Sequence, residues 1–150
     1  MGMELRVSAG AIAIEAGRIL LVSYSDSPSG TYFVGPGGGV IGAERIDQAV
    51  IREVREETGL EIEPVKMLLV EDLLSRRQRI VKVWFLCRVV GGQLKDTPEA
   101  LEEGITGVGW YRKEELQNAT VYPSVLSSYD WKDFFERDWE AKYLKSTMAE

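Results

Sequence analysis

GGVIGAERIDQAVIREVREETGL, residues 38–60, is the stretch whose reading decides the fold. It emerges from a glycine-rich loop, Gly35-Pro36-Gly37-Gly38-Gly39, and carries apolar Ile46, Ala49, Val50 and Val54 at helical spacing. That period predicts a helix over residues 43–58, with Gly59 as its C-terminal stop. Steps of four, three and four along it pick out Ile46, Val50, Glu53 and Glu57. The stripe begins apolar and ends acidic, and Glu56 joins the acids three residues after Glu53. Residues three and four apart share a helix face, so three carboxylates converge on one small volume.

Carboxylates aimed partly inward suffer desolvation and mutual repulsion. A hard divalent cation relieves both, because Mg²⁺ and Mn²⁺ take oxygen ligands and keep waters for substrate phosphates. The plainer alternative is a solvated acidic helix end, with Arg52 and Arg55 as intrahelical ion partners. It leaves unexplained why the acids continue an apolar stripe behind a glycine loop.

Glycine, five residues, glutamate, seven residues, Arg-Glu-apolar, one residue, Glu-Glu, one residue, Gly-apolar resembles the signature of the Nudix hydrolases. The chain meets it at Gly38, Glu44, Arg52, Glu53, Val54, Glu56, Glu57, Gly59 and Leu60. The resemblance implies a metal-dependent enzyme that cleaves the pyrophosphate of a nucleoside diphosphate linked to another group X. It implies Glu53, Glu56 and Glu57 as metal ligands, the Gly38 carbonyl as a further one, and Mg²⁺ or Mn²⁺ as cofactor. Arg52 is expected to pair with Glu56 and position it, and Glu44 to support the loop.

Composition narrows the chemistry. The chain has 150 residues, enough for one domain over residues 1–150 with a sizeable core. It has no histidine, which removes Ser-His-Asp and Cys-His nucleophilic systems and His-based zinc sites. A base near neutral pH is then a carboxylate, a metal-bound hydroxide or a lysine. The net charge of −6 argues against a nucleic-acid polymer as partner. No apolar run reaches bilayer length and no leader pattern stands at the N-terminus, so no membrane partner is expected. The single cysteine, Cys87, lies in an apolar strand; a buried thiol and a cytoplasmic location are expected.

Along the chain, residues 4–14 are apolar and small, as in a central strand, and a turn at residues 15–18 leads to a returning strand over residues 19–24. Residues 25–30 read as a loop, and Tyr32-Phe33-Val34 as a short strand entering the glycine loop. Backbone amides of Gly37 and Gly38 are candidates for binding phosphate. Tyr32 and Phe33, with Tyr24, are candidates for stacking on a base. Residues 65–70 and 80–90 read as strands joined by a basic turn. There Arg79 is either a solvated hairpin-tip residue or a clamp on substrate phosphate.

An acidic loop at residues 96–104 precedes a strand over residues 105–111 bearing Trp110, then a short helix near Lys113. The Nudix resemblance implies a loop glutamate there as general base or further metal ligand. Glu103 is the first candidate, Glu102 the second, and Glu53 the alternative on the helix. In residues 122–146, Trp131, Phe135, Trp139 and Tyr143 recur every four residues, which predicts an aromatic helix face packed on the domain or forming a homodimer.

The elements suit a mixed sheet between helices. The resemblance specifies the fold class as α/β, a Nudix-type α/β/α sandwich with a mixed β-sheet. A small-molecule nucleotide is the expected substrate: ADP-ribose or a nucleotide sugar first, an oxidised or ordinary nucleoside triphosphate second. A Nudix-fold sensor that binds a nucleotide without hydrolysing it is the non-enzymatic alternative.

Overall fold

The computed structural model describes residues 2–26 and 30–147. Its strands are β1 (Glu4–Glu15), β2 (Arg18–Asp26), β3 (Gly30–Val34), β4 (Gly37–Gly39), β5 (Leu60–Leu74), β6 (Gln78–Gly92), β7 (Gly107–Arg112), β8 (Thr120–Tyr122) and β9 (Lys142–Thr147). The helices are α1 (Ile46–Thr58) and α2 (Pro98–Glu102), with 3-10 turns at Lys113–Leu116, Ser124–Ser127 and Trp131–Phe135. Part of the loop expected over residues 25–30, residues 27–29, lies outside the described residues.

The strands form one curled mixed sheet in the order β8-β3-β2-β1-β6-β5-β9, with β4 added on β1 and β7 on β2. β1 is its pivot. It runs parallel to β6 from Glu4 to Ala13, antiparallel to β4 at Ser8–Gly10, and turns into β2 at Ile14 and Glu15. From Ser8 to Ala13 both faces of β1 are covered, which is why this part lacks a polar alternation. Ala9, Ala11 and Ala13 pack against Ala49, Val50 and Val54 of α1, their small side chains allowing the helix to lie close. On the opposite face Ile12 joins Leu69, Trp84, Leu86, Trp131 and Phe134. Among the described residues no helix is long and apolar enough to cross a membrane.

Three local expectations are corrected. Helix α1 starts at Ile46 rather than residue 43, because Glu44 bends back to accept the Ile41 amide and the Arg45 amide is taken by Gln48 Oε1. Its end is as read, with Gly59 left-handed at φ 82°. The glycine loop contains strand β4, since its backbone pairs with β1. The largest correction is over residues 122–146, where the aromatics form no continuous helix and, among them, only those of Trp131–Phe135 lie in a 3-10 turn. Each tryptophan there is anchored separately to backbone: Trp131 Nε1 donates to Leu126 O at 2.9 Å, and Trp139 Nε1 to Leu68 O at 2.9 Å. Tyr143 lies on β9, which pairs in parallel with β5, and Phe135 is exposed. Tertiary pairing overrides the four-residue period, as it can where local helix stability is marginal.

Candidate functional site

Helix α1 delivers the acids. Its apolar stripe is buried against β1, and continuing the same face carries Glu53 and Glu57 into the interior, at 6 % and 1 % exposure. Glu56 is half-buried at the rim. β4 lies alongside: the Gly37 amide donates to Glu57 Oε1 at 3.1 Å. A Cβ at Gly38 would fall 2.6 Å from the Glu53 carboxylate, so only glycine allows strand and acid to approach this closely.

Arg52 ties this assembly together. Nε and Nη2 donate to the two Glu44 oxygens at 2.7 and 3.0 Å, and Nη2 also reaches Gly39 O at 2.9 Å. Nη1 donates to Glu53 Oε1 at 2.9 Å and to Glu56 Oε2 at 3.2 Å. One guanidinium therefore orients two helix acids and secures the preceding loop, a use suited to its fixed fork of donors. The expected Arg52–Glu56 pair forms, but as one contact among several.

The third member arrives from far along the chain. Thr97 caps α2, accepting the Ala100 amide at 3.0 Å, while its hydroxyl donates to the Glu56 carbonyl at the end of α1. The Lys95 amide bonds Thr58 O at 2.9 Å. Ala100 and Ile105 are buried with Val22, docking the segment on β2. Glu103, at the end of α2, is thereby brought in, and one oxygen each of Glu53, Glu57 and Glu103 lie within 4.8 Å of one another. Glu56 and Glu102 are outside that trio; Glu102 is exposed.

Three carboxylates this close cannot all stay ionised alone. Burial first, then the Glu53 and Glu103 carboxylates, pushes Glu57 up to about 10. Burial also raises Glu103, with the Glu53 and Glu56 charges adding and Glu57 and Arg52 opposing. Glu53 Oε2 and Glu57 Oε2 are buried without a hydrogen-bond partner among the described residues. Orphaned acceptors within so close a group of carboxylates fit a hard divalent cation, which would supply the missing positive charge.

Beside the trio stands an aromatic wall. Tyr24 stacks on Tyr32 with centroids 5.3 Å apart, and Tyr122 meets Tyr32 edge-on at 5.9 Å. Tyr24 is held above its ordinary pKa by burial first, then by the charges of Glu57 and Glu103, so it lies within the field of the acids. Phe33, on the alternate face of β3, instead packs edge-on against Tyr111 at 5.0 Å in the main core. Arg79 pairs with Asp72 at 3.2 Å. Sequence reasoning passed over Tyr122 and Lys82. The signal for the second was available: Lys82 is the one charge in the run IVKVWFLC.

Comparison with known proteins identifies the family. A family model described as NUDIX domain matches residues 4–132. A Methanocaldococcus jannaschii protein named ADP-ribose pyrophosphatase is 40% identical over 88 residues, covering 57% of this chain and 52% of that protein. A Danio rerio protein named an 8-oxo-dGDP phosphatase is 40% identical over 81 residues, covering 54% of this chain and 24% of that one. The chain thus spans about a quarter to a half of the length of these curated relatives. The crystal structure of a MutT NUDIX hydrolase from Burkholderia pseudomallei superposes with a TM-score of 0.71 at 25% identity, covering 85% of this chain and 99% of that one. The acid-bearing helix, the glycine strand beside it and a match reaching from β1 to Lys132 have one reading: the chain belongs to the NUDIX-domain family.

Proposed function

We propose that the protein is a divalent-metal-dependent hydrolase that cleaves the pyrophosphate bond of a nucleoside diphosphate linked to another group. The observation that carries this reading is the trio Glu53, Glu57 and Glu103 with its buried, unpartnered oxygens. Glu53 and Glu57 would hold the cation, with Glu56 and the Gly38 carbonyl as the further ligands. Bound Mg²⁺ or Mn²⁺ supplies charge neutralisation on the pyrophosphate and a lowered pKa for water. Glu103, more exposed than its two partners, takes the proton of the attacking water as general base. The water oxygen bonds to phosphorus, the anhydride P–O bond breaks, and its electron pair leaves on the departing phosphate oxygen. The amides of Gly37 and Gly38 and the Tyr24–Tyr32–Tyr122 wall position phosphates and base respectively.

ADP-ribose or a nucleotide sugar is the first substrate class. An oxidised purine nucleotide is the second, favoured by the name of the Danio rerio relative. We place the enzyme in the cytoplasm, acting on a small nucleotide rather than a nucleic-acid polymer or membrane. The test is a hydrolysis screen with Mg²⁺ and Mn²⁺ over ADP-ribose, nucleotide sugars, nucleoside triphosphates, 8-oxo-dGDP and dinucleoside polyphosphates. Cleavage of one class is the expected outcome. Saturable nucleotide binding with no product across the panel would instead establish a sensor.

Arg52→Lys is expected to keep the fold but lower turnover by roughly 10–100-fold, the usual cost of losing a group that orients metal ligands. Lysine offers a point charge where the fork serves Glu44, Glu53, Glu56 and Gly39 at once. Steady-state kinetics with the cleaved substrate checks this, and unchanged turnover removes Arg52 from the machinery.

A further inference from the structure

We propose that Lys82 is a substrate-contacting residue whose ammonium holds a non-bridging oxygen of the diphosphate beside the carboxylate trio; this rests on the metal-dependent hydrolase reading above. Lys82 lies on β6 between Ser8 of β1 and Glu71 of β5, and projects to the same face as Trp84. Its Nζ sits 4.2 Å from the centroid of the Trp84 ring. That ring is itself held, because Trp84 Nε1 donates to buried Glu71 Oε1 at 3.0 Å. Ser146 Oγ donates to the other Glu71 oxygen at 3.0 Å. Glu71 is thus fully engaged, and the indole forms a fixed support under the ammonium.

The Lys82 stem passes close over Gly10, where an added Cβ would come within 2.9 Å of Lys82 Cε. Gly10 pairs with Gly37, whose amide is bonded to Glu57. This chain of contacts links the Lys82 stem, through Gly10 and Gly37, to Glu57 of the trio. The ammonium's strongest charge partners are Glu57, Glu71 and Glu53, in that order. Burial outweighs them and lowers the Lys82 pKa.

The rival account makes Lys82 a counterion for the trio. A counterion closes its pair, as Arg52 does with Glu53 at 2.9 Å. Lys82 makes no hydrogen bond or ion pair among the described residues. A cation mounted on an aromatic ring, without an ion pair among the described residues and within the field of the trio, suits a ligand that brings several negative oxygens.

The test uses imidodiphosphate, which keeps the two phosphate groups but resists hydrolysis at the bridge. Its binding to protein in excess Mg²⁺ is measured by calorimetry for the wild type, Lys82→Met and Lys82→Arg, and Mn²⁺ binding is followed separately by electron paramagnetic resonance. Lys82→Met is expected to weaken imidodiphosphate at least about tenfold, the low end for losing a hydrogen bond to a charged group. Lys82→Arg restores binding, and Mn²⁺ binding is weakened in neither variant. Equal imidodiphosphate affinity in the wild type and Lys82→Met overturns the proposal. So does loss of Mn²⁺ binding or of folding in both variants, which marks a structural role. A wild type that binds Mn²⁺ but not imidodiphosphate also overturns it. A wild type that binds no Mn²⁺ refutes the hydrolase reading first, and this inference with it.

Discussion

Glu57→Gln abolishes turnover, by about a thousandfold or more, in a protein that still folds; that is the result expected of the most buried acid in the trio. The substitution preserves shape, and an amide oxygen can still accept the Gly37 amide. What is lost is the charge, and with it a strong ligand for a hard cation. Circular dichroism distinguishes a folded, inactive variant from a collapsed one, and Mn²⁺ titration reads the lost ligand directly. Wild-type turnover in this variant would falsify the assignment of Glu57 to the metal.

The second large effect is on stability, and it has a definite sign. Glu57 carries its proton up to about 10 in the folded protein, against an ordinary 4.5. Between those values the folded chain binds more protons than the unfolded one, so stability falls as pH rises. The contribution is complete below about 4.5 and lost on approaching 10. Metal-free protein, treated with a chelator, should therefore melt at progressively lower temperature from pH 5 to pH 8. One proton corresponds to about 1.4 kcal/mol per pH unit as a ceiling, which the coupled carboxylates share among them. Added Mn²⁺ binds only the folded site and raises the melting temperature, more at pH 8 than at pH 5. Glu57→Gln should flatten the metal-free slope. A metal-free melting temperature that holds steady or climbs over this range would show that the trio is not crowded as described.

How much of this was legible depended on whether the information lay along the chain or across it. Helix α1 and the inward course of Glu53 and Glu57 follow from spacing, because periodicity is a local property that the fold uses directly. Glu103 entered through family resemblance alone. Its approach to Glu57 depends on the Thr97 hydroxyl, the Lys95 amide and burial of Ala100, none of which leaves a pattern near Glu103. Strand β4 was invisible because three glycines have no side-chain alternation to read. The C-terminal aromatics misled for the opposite reason: a real four-residue spacing was present, yet each ring had its own anchor on the sheet.

The close fit of Trp84 over β1 has a consequence for how the strands find each other. A Cβ at Gly10 would lie 2.5 Å from the Trp84 ring, and Gly10 is the one glycine of β1. Sliding β1 along β6 by one residue puts Ala9 or Ala11 under the indole; sliding it by two puts Ser8 or Ile12 there. Every misaligned pairing thus drives a side chain into a ring pinned by Glu71, and a one-residue slip also turns the helix-facing alanines outward. The missing methyl at Gly10 acts as a keyway, and the alignment it admits is the one that lays Lys82 beside Ser8 and Gly37 beside Gly10.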